Sequence, residues 1–265
     1  MANKTYPNHV LENKFEDQYA SKLDLMQFCT VDDSLTGVAG DKVIINTYTA
    51  TSGTETLAMG EGNTKSIEVS YRPEEYRILL AQNRFEYFDE QAMKDPNLVP
   101  VGMKHAGTDM FNTINADIFA EFNKTGVEVP ATALDFGAFA DAVASLNIEN
   151  IEGVTIFAFV CPKDVAKLRK ALKEDLKYVE AFVKNGYVGT VAGINLYTKK
   201  DAVPGTIVIG TKEAVTLFNK KGTEVEQPPR DSEDANIRKN TILSRKYYLV
   251  ALTDATKAVK ITIAA

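Results

Sequence analysis

The chain has no tryptophan, two histidines and two cysteines among its 265 residues. A closed metal centre needs three or four ligands, so His9 and His105 exclude most metal sites and most histidine-dependent acid–base pairs. Cys29 and Cys161 lie far apart and show no framework spacing, which argues against a disulfide scaffold. No stretch approaches the roughly 18 apolar residues that a membrane-spanning helix needs, so no membrane partner is expected. Surplus positive charge is missing too. The formal net charge is −6 and the isoelectric point about 5.2, unsuited to gripping nucleic acid by bulk electrostatics. Lys4, Glu12, Lys14, Glu16, Asp17, Lys22 and Asp24 leave no apolar core for a signal peptide. A reducing, aqueous compartment is the expected place of folding.

The residues that are present point to architecture. Val10, Leu11, Phe15, Tyr19, Leu23 and Met26 recur in a helical rhythm and predict an amphipathic arm. A strand is predicted from Asp41 to Tyr48 and an extended run from Ile67 to Gln82. Between them lies a Thr-, Ser- and Gly-rich loop, Thr49 to Ser66, so the three together read as a projecting hairpin. Helices are predicted over Arg84 to Lys94 and over Val101 to Lys124, the longer one striped by Met103, Met110, Ile114, Ile118 and Phe122. After Pro130 comes a helix carrying Phe136, Phe139, Val143 and Leu146, then a buried strand, Val154 to Val160. Pro162 opens another helix with Val165, Leu168 and Leu172, and further helical turns run through Tyr178 and Phe182. Strands at Ile194 to Thr198 and Thr206 to Gly210 suggest a small α/β insertion, ended by a helix over Lys212 to Asn219. Gly222 to Gln227, Asn236 to Leu252 and Ala258 to Ile263 read as returning strands.

The search for chemistry returns little. Cys161 ends an apolar strand before a helix start, where a helix dipole lowers a thiol pKa, but no base is placed to serve it. A buried or capping cysteine is the plainer reading. The Gly60-Glu61-Gly62 stretch and the Gly186, Gly189, Gly193 series lack phosphate-loop spacing and read as turns. Between Lys220 and Lys239, five basic residues (Lys220, Lys221, Arg230, Arg238, Lys239) face five acidic ones (Glu224, Glu226, Asp231, Glu233, Asp234). The run lacks the glycine and closing glutamate of a calcium loop, and balanced signs suit ion-paired contacts between copies. No catalytic set, metal site or cofactor site is expected.

The order of these elements resembles the major capsid protein of tailed bacteriophages, an α+β Hong Kong 97-type capsid fold. Gly40 to Glu90 is similar to that family's extended loop, and Val101 to Lys124 to its long spine helix. Phe157 to Leu168, Val188 to Tyr197 and Val203 to Gly210 resemble an axial domain. Arg230 to Arg238, Arg245 to Tyr248 and Ala258 to Ile261 look like the family's last strands. The resemblance implies an N-terminal arm (1–40), an extended-loop hairpin (41–82) and a peripheral domain with spine helix (83–128). An axial domain (129–221) and returning peripheral strands (222–265) complete it. It further implies a shell subunit, not an enzyme, that packs with itself into pentamers and hexamers. These would close as an icosahedral virion head around double-stranded DNA, assembled in the host cytoplasm and without sequence-specific DNA binding. No extra region precedes the arm to act as a fused scaffold, so a separate scaffolding protein and a portal are the implied partners.

On this reading Thr51, Glu55, Glu61 and Lys65 in the hairpin loop, and Arg230, Asp231, Glu233 and Arg238 in the charged run, are candidate inter-subunit contacts. Some members of the family cross-link a loop lysine to an asparagine; Lys65 is placed for this, but no asparagine partner can be assigned. An encapsulin-type nanocompartment shell is the alternative on the same fold. A soluble α/β enzyme using Cys161 is the alternative from a different class.

Overall fold

A computed structural model describes residues 23–40, 42–148, 153–171 and 189–263. The spacing that predicts the long helix holds: it runs Leu98–Phe122, with Met110, Ile114, Ile118 and Phe122 all buried. Those four recur at i, i+4 and so lie along one face. Met103, two turns further towards the start, is only half-buried. Pro100 falls in the first turn, where a missing N–H leaves no bond unmade.

Two sheets share this helix. The first is built from β1 (Thr30–Asp32), β4 (Leu79–Phe88), β10 (Val215–Glu226) and β11 (Lys239–Leu252), in the order β1-β10-β11-β4. The second contains β5 (Glu128–Ala131), β6 (Ile156–Val160), β7 (Thr190–Val191), β8 (Ile194–Thr198), β9 (Thr206–Thr211) and β12 (Ala258–Ile263). Its order is β5-β12-β9-β6-β8-β7. All five residues of β6 are buried, as a strand covered on both faces requires. One core gathers Ile114, Ile118 and Phe122 with Phe157 and Phe159 of β6, Leu217 of β10 and Tyr248 of β11. A second core lies between the six-stranded sheet and the helices Phe136–Ser145 and Pro162–Ala171, with Phe139, Val165 and Leu168 inside. Tyr248 Oη donates to Asp117 Oδ2 at 2.5 Å, tying β11 to the long helix.

A third sheet stands apart. Its strands, β2 (Lys42–Ala50) and β3 (Val69–Arg77), pair only with each other, in unbroken antiparallel register from Lys42↔Arg77 to Ala50↔Val69.

The structure corrects several sequence expectations. The run from Ile67 to Gln82 divides at Ile78 into β3 and the start of β4, which belong to different sheets. Arg84 to Phe88 is strand rather than helix. Cross-strand pairing with Lys239 to Leu243 decides it, and the helix there spans only Asp89–Lys94. Lys212 to Asn219 is likewise not helical, because from Val215 the chain pairs with β11 and buries Val215 and Leu217. That strand continues to Glu226, so the expected separate strand at Gly222 is its second half. The run expected as strand from Asn236 begins at Lys239, after a short helix, Ser232–Asn236. β5 has no counterpart among the expected strands. Phe136 opens its helix exposed, at 54%.

The borders expected at 82/83, 128/129 and 221/222 fall inside or at the start of strands. β12, grouped from sequence with the returning strands, lies between β5 and β9 in the six-stranded sheet. Of the predicted arm, Val10, Leu11, Phe15 and Tyr19 lie outside the described residues, as do Leu172, Tyr178, Phe182 and Gly186. Within the described part a 3-10 turn, Leu25–Phe28, buries Leu25 and Phe28, while Leu23 and Met26 pack only partly.

Candidate functional site

The chemical candidates resolve as structural residues. Cys161 is buried, and its carbonyl accepts the N–H groups of Asp164 (2.9 Å) and Val165 (3.0 Å), so it opens the helix as a cap. The Cys29 thiol is pushed up to about 11, first by burial and then by the nearby Asp24 carboxylate, which makes it a poor nucleophile. His105 lies on an exposed turn of the long helix. Among the described residues no three His, Cys, Asp or Glu side chains gather as a metal site, and no helix is long and apolar enough to cross a membrane. Gly189 and Gly193 take positive φ around the β7–β8 turn, which suits turn glycines.

Thr51, Glu55, Glu61 and Lys65 all lie in the loop beyond the β2–β3 ribbon, where only Glu55 and Lys65 meet each other and the others find partners elsewhere in the loop. Thr51 closes its neck: its N–H donates to the Glu68 carbonyl at 2.9 Å, and its Oγ1 accepts the Glu68 N–H at 2.9 Å. The Glu55 carboxylate accepts the Thr64 N–H at 3.0 Å and the Thr64 hydroxyl at 3.2 Å, with Lys65 Nζ at 3.4 Å. The Thr64 amide, ahead of the other groups, holds the Glu55 carboxyl below its ordinary range. Glu61 Oε2 accepts the Ala58 N–H at 3.2 Å across a turn that Gly60 enters at φ +92°. Asn63 spans the loop, donating to the Gly53 carbonyl at 2.9 Å and accepting the Lys65 N–H at 2.8 Å. Gly53 admits no side chain, since a Cβ there would lie 2.8 Å from the Ile67 nitrogen and 2.9 Å from the Ser66 carbonyl carbon. Asn63, Thr64 and Gly53 escape sequence reasoning, because only loop closure gives them partners.

One face of the ribbon leading to this tip carries an apolar patch beside the Lys42–Glu75 ion pair. Residues directly opposite in register share a face, so Ile44, Tyr48, Tyr71 and Val69 lie together, each between 63% and 66% exposed. Tyr48 and Tyr71 face each other with ring centroids 6.3 Å apart. At the ribbon's base Tyr76 Oη reaches the Leu252 carbonyl at 3.3 Å and Glu74 at 2.9 Å. A two-stranded ribbon is marginal by itself in water and needs a layer against it. Among the described residues nothing covers this face.

The second group of candidates forms a corner at the far end of β4 and β11. Arg230 Nη2 donates to Asp89 Oδ1 at 2.5 Å and to Asn240 Oδ1 at 2.8 Å, while Asn240 Nδ2 donates to the same Asp89 oxygen at 2.7 Å. Arg238 pairs with Glu90, and from a left-handed backbone (φ 55°) turns its carbonyl to the Asp89 N–H at 3.1 Å. Arg230 first and Asn240 second hold the Asp89 carboxyl below its usual range. Asp231 caps the short helix, its Oδ1 accepting the Asp234 N–H at 2.7 Å, and Glu233 lies exposed in that helix's first turn. Arg230 and Arg238 are therefore engaged within the chain, pinning the start of the helix Asp89–Lys94. Asp89 and Asn240 carry no sequence signal, being separated by 151 positions.

No family model matches the chain. The major capsid protein of Staphylococcus phage phiMR11 is 24% identical over 263 residues, covering 96% of this chain and 92% of that protein. The capsid structure of the cyanophage P-SCSP1u superposes with a TM-score of 0.75 at 15% identity, covering 99% of this chain and 93% of the other. A structure from Mycobacterium phage Che8 gives 0.68 at 16% identity, with 87% and 88% covered.

Proposed function

We propose that this chain, which has the Hong Kong 97-type fold of tailed-phage capsid proteins, is a major shell protein that assembles with copies of itself into an icosahedral head. The observation that carries the reading is the β2–β3 ribbon, which presents Ile44, Tyr48, Val69 and Tyr71 to solvent on a face the described chain leaves uncovered. A neighbouring copy supplies the missing layer.

On this reading the arm (1–40) and hairpin (41–82) reach adjacent subunits, and copies of the axial part (129–221) meet around the local axes of pentamers and hexamers. Such a ring contact is heterologous and closes. Thr51, Glu55, Glu61 and Lys65 act by shaping the tip that docks. At the corner, Arg230 and Arg238 set the frame, while Asp231 and Glu233 face outward to a neighbour. The head encloses double-stranded DNA, which a confining wall holds without tight phosphate binding, so a net negative subunit is compatible with the task. A separate scaffolding protein and a portal complete the assembly in the host cytoplasm, and the protein has no enzymatic role.

Negative-stain microscopy of the purified or co-expressed protein tests the reading, with closed shells or capsomers as the result. One small species under every assembly condition overturns it. Particles that carry an enzyme cargo in place of DNA would mark an encapsulin-type compartment instead. Deleting Thr51 to Lys65 should leave a folded monomer with an unchanged melting transition and abolish assembly, because the loop lies outside both cores. A deletion variant that unfolds would show that the loop supports the body.

A further inference from the structure

We infer that Lys199 and Asp201 form an acid-sensitive clamp, which holds the loop of residues 199–205 against the long helix and releases it when Asp201 takes up a proton. The loop joins β8 to β9 and is fastened at both ends. At its start the Lys199 N–H donates to the Val160 carbonyl at 3.0 Å, next to the Val160↔Thr198 pair that ends the β6–β8 ladder. The Lys199 side chain turns inward, and the residue is 3% exposed. Its Nζ lies 5.9 Å from the centroid of the Phe119 ring on the long helix, and Phe119 packs edge-on against Phe159 of β6. The Asp201 carboxylate answers this buried ammonium, with Oδ2 at 2.9 Å on a side chain that is 71% exposed. The far end is fastened from another element. Asp164, fully buried in the first turn of the helix Pro162–Ala171, accepts the Gly205 N–H at 2.6 Å on Oδ2 and meets Lys167 Nζ at 3.1 Å on Oδ1. Between the two fastenings Ala202 is buried, while Asp201, Val203 and Pro204 face solvent.

An ammonium out of water is costly unless a counter-charge matches it, and removing one partner of such a pair leaves the other's desolvation uncompensated. Asp201 is the partner that water and protons reach. The Lys199 hydrogen bond first, opposed by partial burial and helped by the charges of Lys199 and Lys200, holds the Asp201 carboxyl below its ordinary range. A carboxylate held low contributes stability that is full above its unfolded value and is lost as pH falls through the folded one. Once protonated, Asp201 is neutral. The ammonium then regains a matching shell only by swinging out from Phe119 into water, and it draws the start of the loop with it. The clamp works within one chain and does not depend on assembly.

Residue-resolved amide exchange of the full-length chain, compared at pH 6 and at about pH 3, tests the clamp. In the parent, protection at the Lys199 and Ala202 amides should fall about tenfold between the two, the factor that one lost hydrogen bond to a charged group supplies. The amides of β6 should stay protected at both. Asp201→Asn, the isostere of the protonated state, should show the lowered protection already at pH 6 and no further fall. Lys199→Met lays an apolar chain against Phe119, needs no counter-charge, and should hold the loop at both pH values. Three results each overturn the proposal: a parent loop indifferent to acid, an Asp201→Asn loop as protected as the parent's at pH 6, or a Lys199→Met loop that still opens in acid. The last would assign the response to Asp164 and the Gly205 end. If acid unfolds the whole chain first, the β6 amides report it, and the comparison of Asp201→Asn with the parent at pH 6 decides.

Discussion

At the scale of single residues, the hairpin tip is closed by small groups rather than by reactive ones. Gly53 is the tightest point of the hairpin tip. In Gly53→Ala the new methyl meets backbone atoms of Ser66 and Ile67, which cannot rotate away as a side-chain end can. The neck at Thr51 and Glu68 should therefore open. Shell formation should fall sharply while the melting transition of the unassembled chain moves little, since Gly53 touches neither core; electron microscopy and calorimetry on the same sample check this. Legibility at this scale is uneven. Cys161 and Gly189 are readable, because a cysteine before a proline-led helix and a glycine beside a short turn have local explanations. Asn63, Asn115 and Asn240 are not, because an asparagine's partners here lie 10, 90 and 151 positions away.

At the scale of elements, the corner joining the helix Asp89–Lys94 to β11 should weaken in acid. Asp89 is held below its usual value of 3.8, and Glu90 below 4.5. A carboxylate whose folded pKa is depressed contributes stability that is fully present above the unfolded value and is lost as pH falls through the folded one. Amide protection of the Asp89–Lys94 helix should thus hold at pH 6 and decline below about pH 4, and Asp89→Asn should flatten that decline. The long helix and β6 are legible for physical reasons: one repeats apolar residues at i, i+4, and the other is an unbroken apolar run. Lys212 to Asn219 misleads because Ala214, Val215 and Phe218 fit a helical spacing while Val215 and Leu217 fit a strand, in so short a window. Pairing with Leu252 and Val250, over thirty positions on, selects the strand.

At the scale of the whole molecule, the projecting ribbon makes the subunit larger than its mass requires. A compact chain of 265 residues has a radius of gyration of about 18 Å. The dissociated subunit should exceed that clearly in small-angle scattering, and a value at or below it would mean that the ribbon folds back onto the body. The two-sheet body is foreshadowed by the alternation of helices and strands after Pro130. The placement of β12 between β5 and β9 is not, since no local pattern reports a pairing across 132 positions.

The closure of the hairpin tip bears on how a shell corrects its mistakes. Glu55, Glu61, Asn63 and Thr64 have already spent their hydrogen bonds inside the loop, so on the proposed docking the tip meets its neighbour preorganised, with few rotors left to freeze. These four side chains are already partnered, so they add little that would make a wrong contact adhesive. Each junction is then modest and reversible, and a subunit that joins in a bad orientation can leave before its neighbours lock it in. Permanence comes from the number of junctions around each subunit, so the growing shell anneals and only the closed one endures.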